Sequence, residues 1–176
     1  ATIKFVCSKR IVGEIYEAKN FEEAKNSRLV TELFHKAYIK EVFMDENFIS
    51  ITKYDIAEWD DIVHEIREYL RDYIASNKVI VNENSKQKDK SQQTVHEGTA
   101  KEIIQIIDQH IKPAVASDGG NIVFDSYDEE SKAVHVILQG ACSGCPSSTL
   151  TLKNGIEQLL RDMLPGKVEA VTAING

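Results

Sequence analysis

The sequence is short of everything that would build a disulfide framework or a membrane span. It has three cysteines in 176 residues, an odd number with one close pair. A secreted disulfide scaffold needs more of them, evenly matched, so a reducing compartment is expected. No apolar run approaches the roughly 20 residues that a spanning helix requires. Positive charge is also in deficit, with 21 Lys and Arg against 28 Asp and Glu and a formal net charge of −7. Without a basic footprint for phosphate backbones or anionic lipid, no nucleic acid and no membrane is expected as a partner. An initiator Met and a basic-then-apolar leader are absent too. The chain opens at Ala1 directly on a strand-like run through Ile3, Phe5 and Val6, a start that a removed targeting segment would also leave.

What is present is globular in composition, 42% hydrophobic and 28% charged. One stretch breaks that pattern: NENSKQKDKSQQTVHEGT, from Asn82 to Thr99, has Val95 as its one apolar residue. It cannot bury enough surface to offset its ordering entropy and reads as a flexible polar linker. We therefore expect a domain at 1–81, a linker at 82–96 and a second domain at 97–176, with net charges of −3, +1 and −5. Each half is near the lower size limit for independent folding. No internal repeat is found.

Pattern and punctuation give the elements. In the first half, Thr2–Cys7 and Ile11–Tyr16 read as a pair of strands, and Ser27 caps a helix running to about Ala37. Strands follow from Tyr38 to Met44 and from Asn47 to Lys53, with Asp45-Glu46 as the turn between them. Asp60 or Asp61 opens a longer helix whose apolar residues Ile62, Val63, Ile66, Tyr69, Leu70, Tyr73 and Ile74 share one face. Trp59 reads as a core anchor at its start, and Glu65, Glu68 and Asp72 as an acidic face that is solvated or docks a client. In the second half, a helix through Ile103, Ile104, Ile107 and Ile111 is expected to be ended by Pro113 soon after its last isoleucine. Asp118-Gly119-Gly120 is most simply a tight turn, with a role near the cysteine loop as the minority reading, and strands at Ile122–Tyr127 and Ala133–Gln139 flank a second turn at Asp128–Ser131. A helix over about Ser148–Met163 and a last strand at Val168–Ile174 complete the order α-β-β-α-β. The fold class is thus α+β, two small α+β domains joined by the linker.

Chemistry concentrates in GACSGCPSST. Cys142 and Cys145 lie three residues apart among small neighbours, so two thiols can converge on one metal or cluster edge, or bond to each other. Pro146 suits a first helical turn, which would put Cys145 at the positive end of a helix dipole that favours its thiolate. A cluster usually takes four protein thiolates. No second CxxC exists, and Cys7 reads as a half-buried strand residue of the other half. Two copies of the chain facing each other would supply four, the simplest completion; exogenous thiols filling the gap are the alternative. A strand, CxxC and helix is also the local layout of thiol–disulfide oxidoreductases, although no βαβ unit precedes it and no Trp or Pro stands between the cysteines. On the local motif alone the two readings stand about level. Structural zinc would need His96, His110 or His135, which show no paired spacing. Two inert cysteines in a turn is the blandest alternative. Elsewhere, Gly155 inside a helix costs about 1 kcal/mol against Ala and marks either close packing or a tolerated imperfection. Lys153 reads as a solvated residue or an offset to an anionic cluster.

The chain resembles a known family. DGGN at 118–121, followed by LQGACSGCPSSTLTLKNGIEQLL at 138–160, is similar to the NifU C-terminal domain. ATIKFV at the start and VFMDENFISITK at 42–53 resemble the N-terminal domain of Nfu-type proteins. The resemblance spans essentially the whole chain, and it departs from the family at Asn121, where relatives often carry an acidic residue. It implies an iron–sulfur scaffold or carrier rather than an enzyme with turnover. Such a carrier holds a cluster, typically 4Fe–4S, between the two subunits of a homodimer, with Cys142 and Cys145 as the metal and cofactor ligands. It passes that cluster to apo iron–sulfur client proteins, alongside assembly factors. The family implies a bacterial cytoplasm or, in a eukaryote, the mitochondrial matrix.

Overall fold

A computed structural model describes residues 1–76, 78–82, 98–143 and 146–175. The chain divides into two compact units, Ala1–Lys88 and Asp89–Gly176. Most of the expected linker, 83–96, lies outside the described residues.

In the first unit, β1 (Thr2–Val6), β2 (Tyr16–Ala18), β3 (Ile39–Asp45) and β4 (Phe48–Lys53) form a sheet of order β1-β4-β3-β2. Every pairing in it is antiparallel. Alternation sorts its residues. Phe5, Tyr16, Val42, Met44, Ile49 and Ile51 join one buried core with residues of α1 (Arg28–Phe34) and α2 (Trp59–Ala75). The amphipathic stripe of α2 is realised, with Ile62, Ile66, Leu70 and Tyr73 buried. Trp59 packs against that core from its rim, its ring edge-on to Phe5 and its Nε1 donating to Ala1 O at 3.2 Å.

Four expectations in this unit are corrected. The strand expected at Ile11–Tyr16 begins only at Tyr16. Upstream of it, Arg10 bends the chain by donating to the carbonyls of Val12 and Gly13, both at 3.0 Å. The two expected strands are not neighbours, because β1 and β2 lie on opposite edges of the sheet. The helix capped by Ser27 ends at Phe34 rather than Ala37, and a short 3₁₀ turn at Glu23–Asn26 precedes it. The hairpin turns one residue later than expected, at Glu46, which takes φ +40°. The acidic face of α2 is paired within the unit: Glu65 with Lys36, and Glu68 and Asp72 with Arg71 at 3.3 Å each.

The second unit follows the expected order. Helix α3 (Thr99–Ile106) continues through a π-turn at Ile107–Ile111 into α4 (Lys112–Ser117). Pro113 therefore does not end the helix. Its ring would press on the carbonyl four residues back, and it offers no N–H. The wider π-turn just before it relieves both conflicts, so the buried row Ile103, Ile107, Ile111, Val115 runs on. Strand β5 (Gly120–Asp128) pairs antiparallel with β6 (Ala133–Gly140), which pairs in parallel with β7 (Ala170–Asn175). Helix α5 (Pro146–Met163) makes the crossover that a parallel pair requires. The central strand alternates strictly, with Val134, Val136, Leu138 and Gly140 buried. The side chains of Val134, Val136 and Leu138 meet Ile156 and Leu160 of α5 and the isoleucines of α3 in one core. The sheet thus ends, at Gly120 and Gly140, on the loop that carries the cysteines.

Candidate functional site

Two strand ends and a helix start meet here. Gly119 turns the chain out of α4 with φ +83°, a left-handed conformation that glycine adopts without strain. Its N–H donates to Ala116 O at 3.0 Å, and its carbonyl accepts from Ala141 N at 3.3 Å. Gly120 then opens β5, paired with Gly140. At the end of β6, Gly140 takes φ +63°. Its carbonyl accepts from the N–H of Ser143 at 3.1 Å and from the Ser143 hydroxyl at 2.9 Å. That tight turn carries Cys142 back over the end of the sheet. From the first part of α5, the Thr149 hydroxyl donates to Cys142 O at 3.0 Å, tying the turn to the helix.

Cys142 is free and 9% exposed. Burial pushes its thiol up to about 11, and the carboxylate of Asp118 adds to the rise. The sulfur is therefore a protonated thiol at neutral pH. Its neighbour across the sheet end is Gly120, whose missing side chain leaves room for the sulfur. A methyl carbon at that position would stand 2.6 Å from Cys142 Sγ. Asn121, buried beside them, donates through Nδ2 to Gln139 Oε1 at 2.9 Å, a structural bond across the β5–β6 pair.

Cys145, the second expected ligand, lies outside the described residues. Cys7 belongs to the other unit, half-buried at the end of β1. His110 sits in the π-turn and His135 on β6, while His96 lies outside the described residues. Among the described residues, no group of three His, Cys, Asp or Glu side chains gathers to hold a metal ion. Among them, too, no helix is long and apolar enough to cross a membrane.

Sequence reasoning treated Asp118-Gly119-Gly120 chiefly as a turn. The contact between Gly120 and Cys142 had one signal: a turn of this kind needs a single glycine, and two are present. The Thr149 bond had none, since a hydroxyl early in a helix has many uses.

Residues 1–78 match the family described as "Scaffold protein Nfu/NifU N terminal". Residues 103–171, which include the cysteine loop, match the family described as "NifU-like domain". A curated protein of Drosophila sechellia, "NFU1 iron-sulfur cluster scaffold homolog, mitochondrial", is 34% identical over 175 residues, covering 98% of this chain and 61% of that one. The protein of the same name from Drosophila willistoni is also 34% identical, covering 98% of this chain and 60% of that one. The chain spans about three fifths of the length of these curated relatives. Among solved structures, the solution NMR structure of a NifU-like protein from Saccharomyces cerevisiae overlaps 47% of this chain and 76% of that one. At 20% identity and a TM-score of 0.41, that overlap decides nothing about architecture.

Proposed function

The chain belongs to the Nfu-type family, its first half matching the Nfu/NifU N-terminal description and its second the NifU-like domain, and from that premise we propose that it is an iron–sulfur cluster scaffold and carrier. The cluster is its cargo. The observation that carries the reading is the place of the cysteine pair inside the matched NifU-like region. Relatives across nearly the whole chain bear the name of iron–sulfur scaffolds.

Cys142 and Cys145 are the proposed ligands. Two thiolates per chain fall short of the four that a cluster usually takes, so the holding form is a homodimer with two cysteines from each copy. Four thiolates hold 2Fe–2S as well, and the family resemblance is what favours 4Fe–4S as the cargo. Cys142 gives up its proton when it binds iron, because the cation offsets both the burial and Asp118. The bonds from Ser143 to Gly140 and from Thr149 to Cys142 hold the loop's backbone while the thiol moves. Apo iron–sulfur proteins are the acceptors, and the N-terminal unit recognises them or the assembly partners. The relatives' names favour mitochondria over a bacterial cytoplasm as the compartment.

The alternative, a thiol–disulfide oxidoreductase, needs an attacking cysteine that is a thiolate at ambient pH. The upward shift at Cys142 runs against that. The two readings part on activity. A scaffold, loaded anaerobically, activates an apo 4Fe–4S acceptor stoichiometrically and shows no catalytic reduction of insulin disulfides. Sustained insulin reduction with no transferable iron would overturn the proposal. A chain lacking residues 1–81 should load normally yet deliver to fewer acceptors. Undiminished delivery to every acceptor would remove the role given to the first unit.

A further inference from the structure

The second glycine of Asp118-Gly119-Gly120 has no conformational reason to be glycine. Gly119 supplies the left-handed turn, whereas Gly120 is not among the positive-φ residues and already pairs with Gly140. Its reason is what lies above it. A methyl carbon on Gly120 would stand 2.6 Å from Cys142 Sγ, 3.2 Å from Cys142 Cβ and 2.8 Å from the carbonyl oxygen of Gln139. Carbon atoms do not approach sulfur or oxygen that closely, so something must move.

We infer that Gly120 is a positioning residue for Cys142: its bare Cα is the seat in which the thiol is stowed while the chain carries no cargo. The inference rests on the reading of Cys142 as a cluster ligand and adds a second position to that ligand. Of the three atoms in the way of a methyl group, the Gln139 carbonyl belongs to the β5–β6 ladder, where Asn121 pairs with Gln139. The sulfur can leave the seat by rotation about a single Cα–Cβ bond, whereas the 2.8 Å approach to the Gln139 carbonyl is relieved only by a small shift of the ladder itself. Seated, Cys142 is 9% exposed. The loop backbone is meanwhile pinned by Ser143 and Thr149, so the sulfur can leave without the loop unfolding. The seat shields an unloaded thiol from oxidants and stray electrophiles, and it is vacated when the sulfur turns toward iron.

The test is the rate at which iodoacetamide alkylates Cys142 in the cargo-free full-length chain, read by peptide mass spectrometry. Gly120→Ala expels the thiol and raises that rate by roughly tenfold or more. Gly155→Ala, at a glycine where an added methyl meets nothing within 4 Å, leaves the rate at the wild-type value. The χ1 rotamer of Cys142, measured through three-bond NMR couplings, changes in Gly120→Ala. A glycine that merely eased folding would leave it as in the wild type. An unchanged rate and rotamer in a natively folded Gly120→Ala chain overturn the inference. Should that variant not fold, the wild type decides. Its native Cys142 must react roughly tenfold or more slower than in the urea-unfolded chain, and equal rates also overturn the seat. No iron enters these measurements, so a wild type that binds no cluster would refute the scaffold reading while leaving the seat standing.

Discussion

In each unit a strand is followed within two residues by a cysteine, and the two thiols are held differently. Cys7 follows β1, with its backbone N–H donating to Asn47 O at 2.7 Å and its carbonyl accepting from Asn47 Nδ2 at 3.3 Å. It is half-buried. Burial raises its thiol, and the ammonium of Lys9 pulls it part of the way back. Cys142 follows β6, more deeply buried and raised further by a carboxylate instead of being eased by a cation. Gly13, six residues beyond Cys7, faces open space, whereas Gly120 is shaped around Cys142. What the difference teaches is that a thiol's job is set by its second neighbours. Both cysteines are protonated at neutral pH, but only one has a vacant Cα to sit on and a corner of short turns that leaves it a way out.

The comparison can be broken most sharply at the ligands. Cys142→Ser is expected to bring iron binding after anaerobic reconstitution to background, while Cys7→Ser keeps the wild-type iron content. Equal losses in both variants would erase the distinction. The next largest effects concern the two cores. Leu160→Ala, at a fully buried residue of the second unit, should cost about 2–5 kcal/mol in urea unfolding. Leu33→Ala should cost a similar amount in the first unit and still load iron, because the cysteine loop packs on the other core. Smaller again is Ser27→Ala. That buried hydroxyl accepts from Val30 N at 3.3 Å and donates to Ile80 O at 2.5 Å, so its loss should cost about 1–2 kcal/mol in thermal unfolding, with cluster loading unchanged. The smallest change runs the other way. Gly155→Ala should stabilise the second unit by about 0.5–1 kcal/mol, since its added methyl meets no neighbour within 4 Å. A destabilised variant would contradict the open space read at this position.

Much of the fold could be read from spacing alone. The apolar row of α2 places that helix, and the apolar row of α3, the alternation of β6 and the turn glycines place the α-β-β-α-β order of the second unit, without any contact being known. Local signals misled where a distant or compensating interaction decided the outcome. Pro113 is a helix breaker by its own chemistry, and only the π-turn at Ile107–Ile111 lets the helix run on through it. Ile11 to Tyr16 is rich in strand-forming residues, but the guanidinium of Arg10 captures the carbonyls of Val12 and Gly13 first. At the site, the cysteine spacing was plain in the sequence, and burial was not. The helix-end argument for a favoured thiolate concerned Cys145, which lies outside the described residues. Cys142 shows the opposite tendency because the end of the sheet covers it. Gly120 was legible as a glycine and illegible as a seat, since its partner lies 22 positions away along the chain.

The central claim is that Cys142 and Cys145 of two chains share one cluster. The measurement that tests it most directly is iron and acid-labile sulfide per chain, taken together with the oligomeric state after anaerobic reconstitution. The account predicts a brown dimer with about two iron and two sulfide per chain, as one four-iron cluster across two copies requires. A reconstituted monomer without bound iron, or a Cys142→Ser chain that still dimerises around a full cluster, would contradict it.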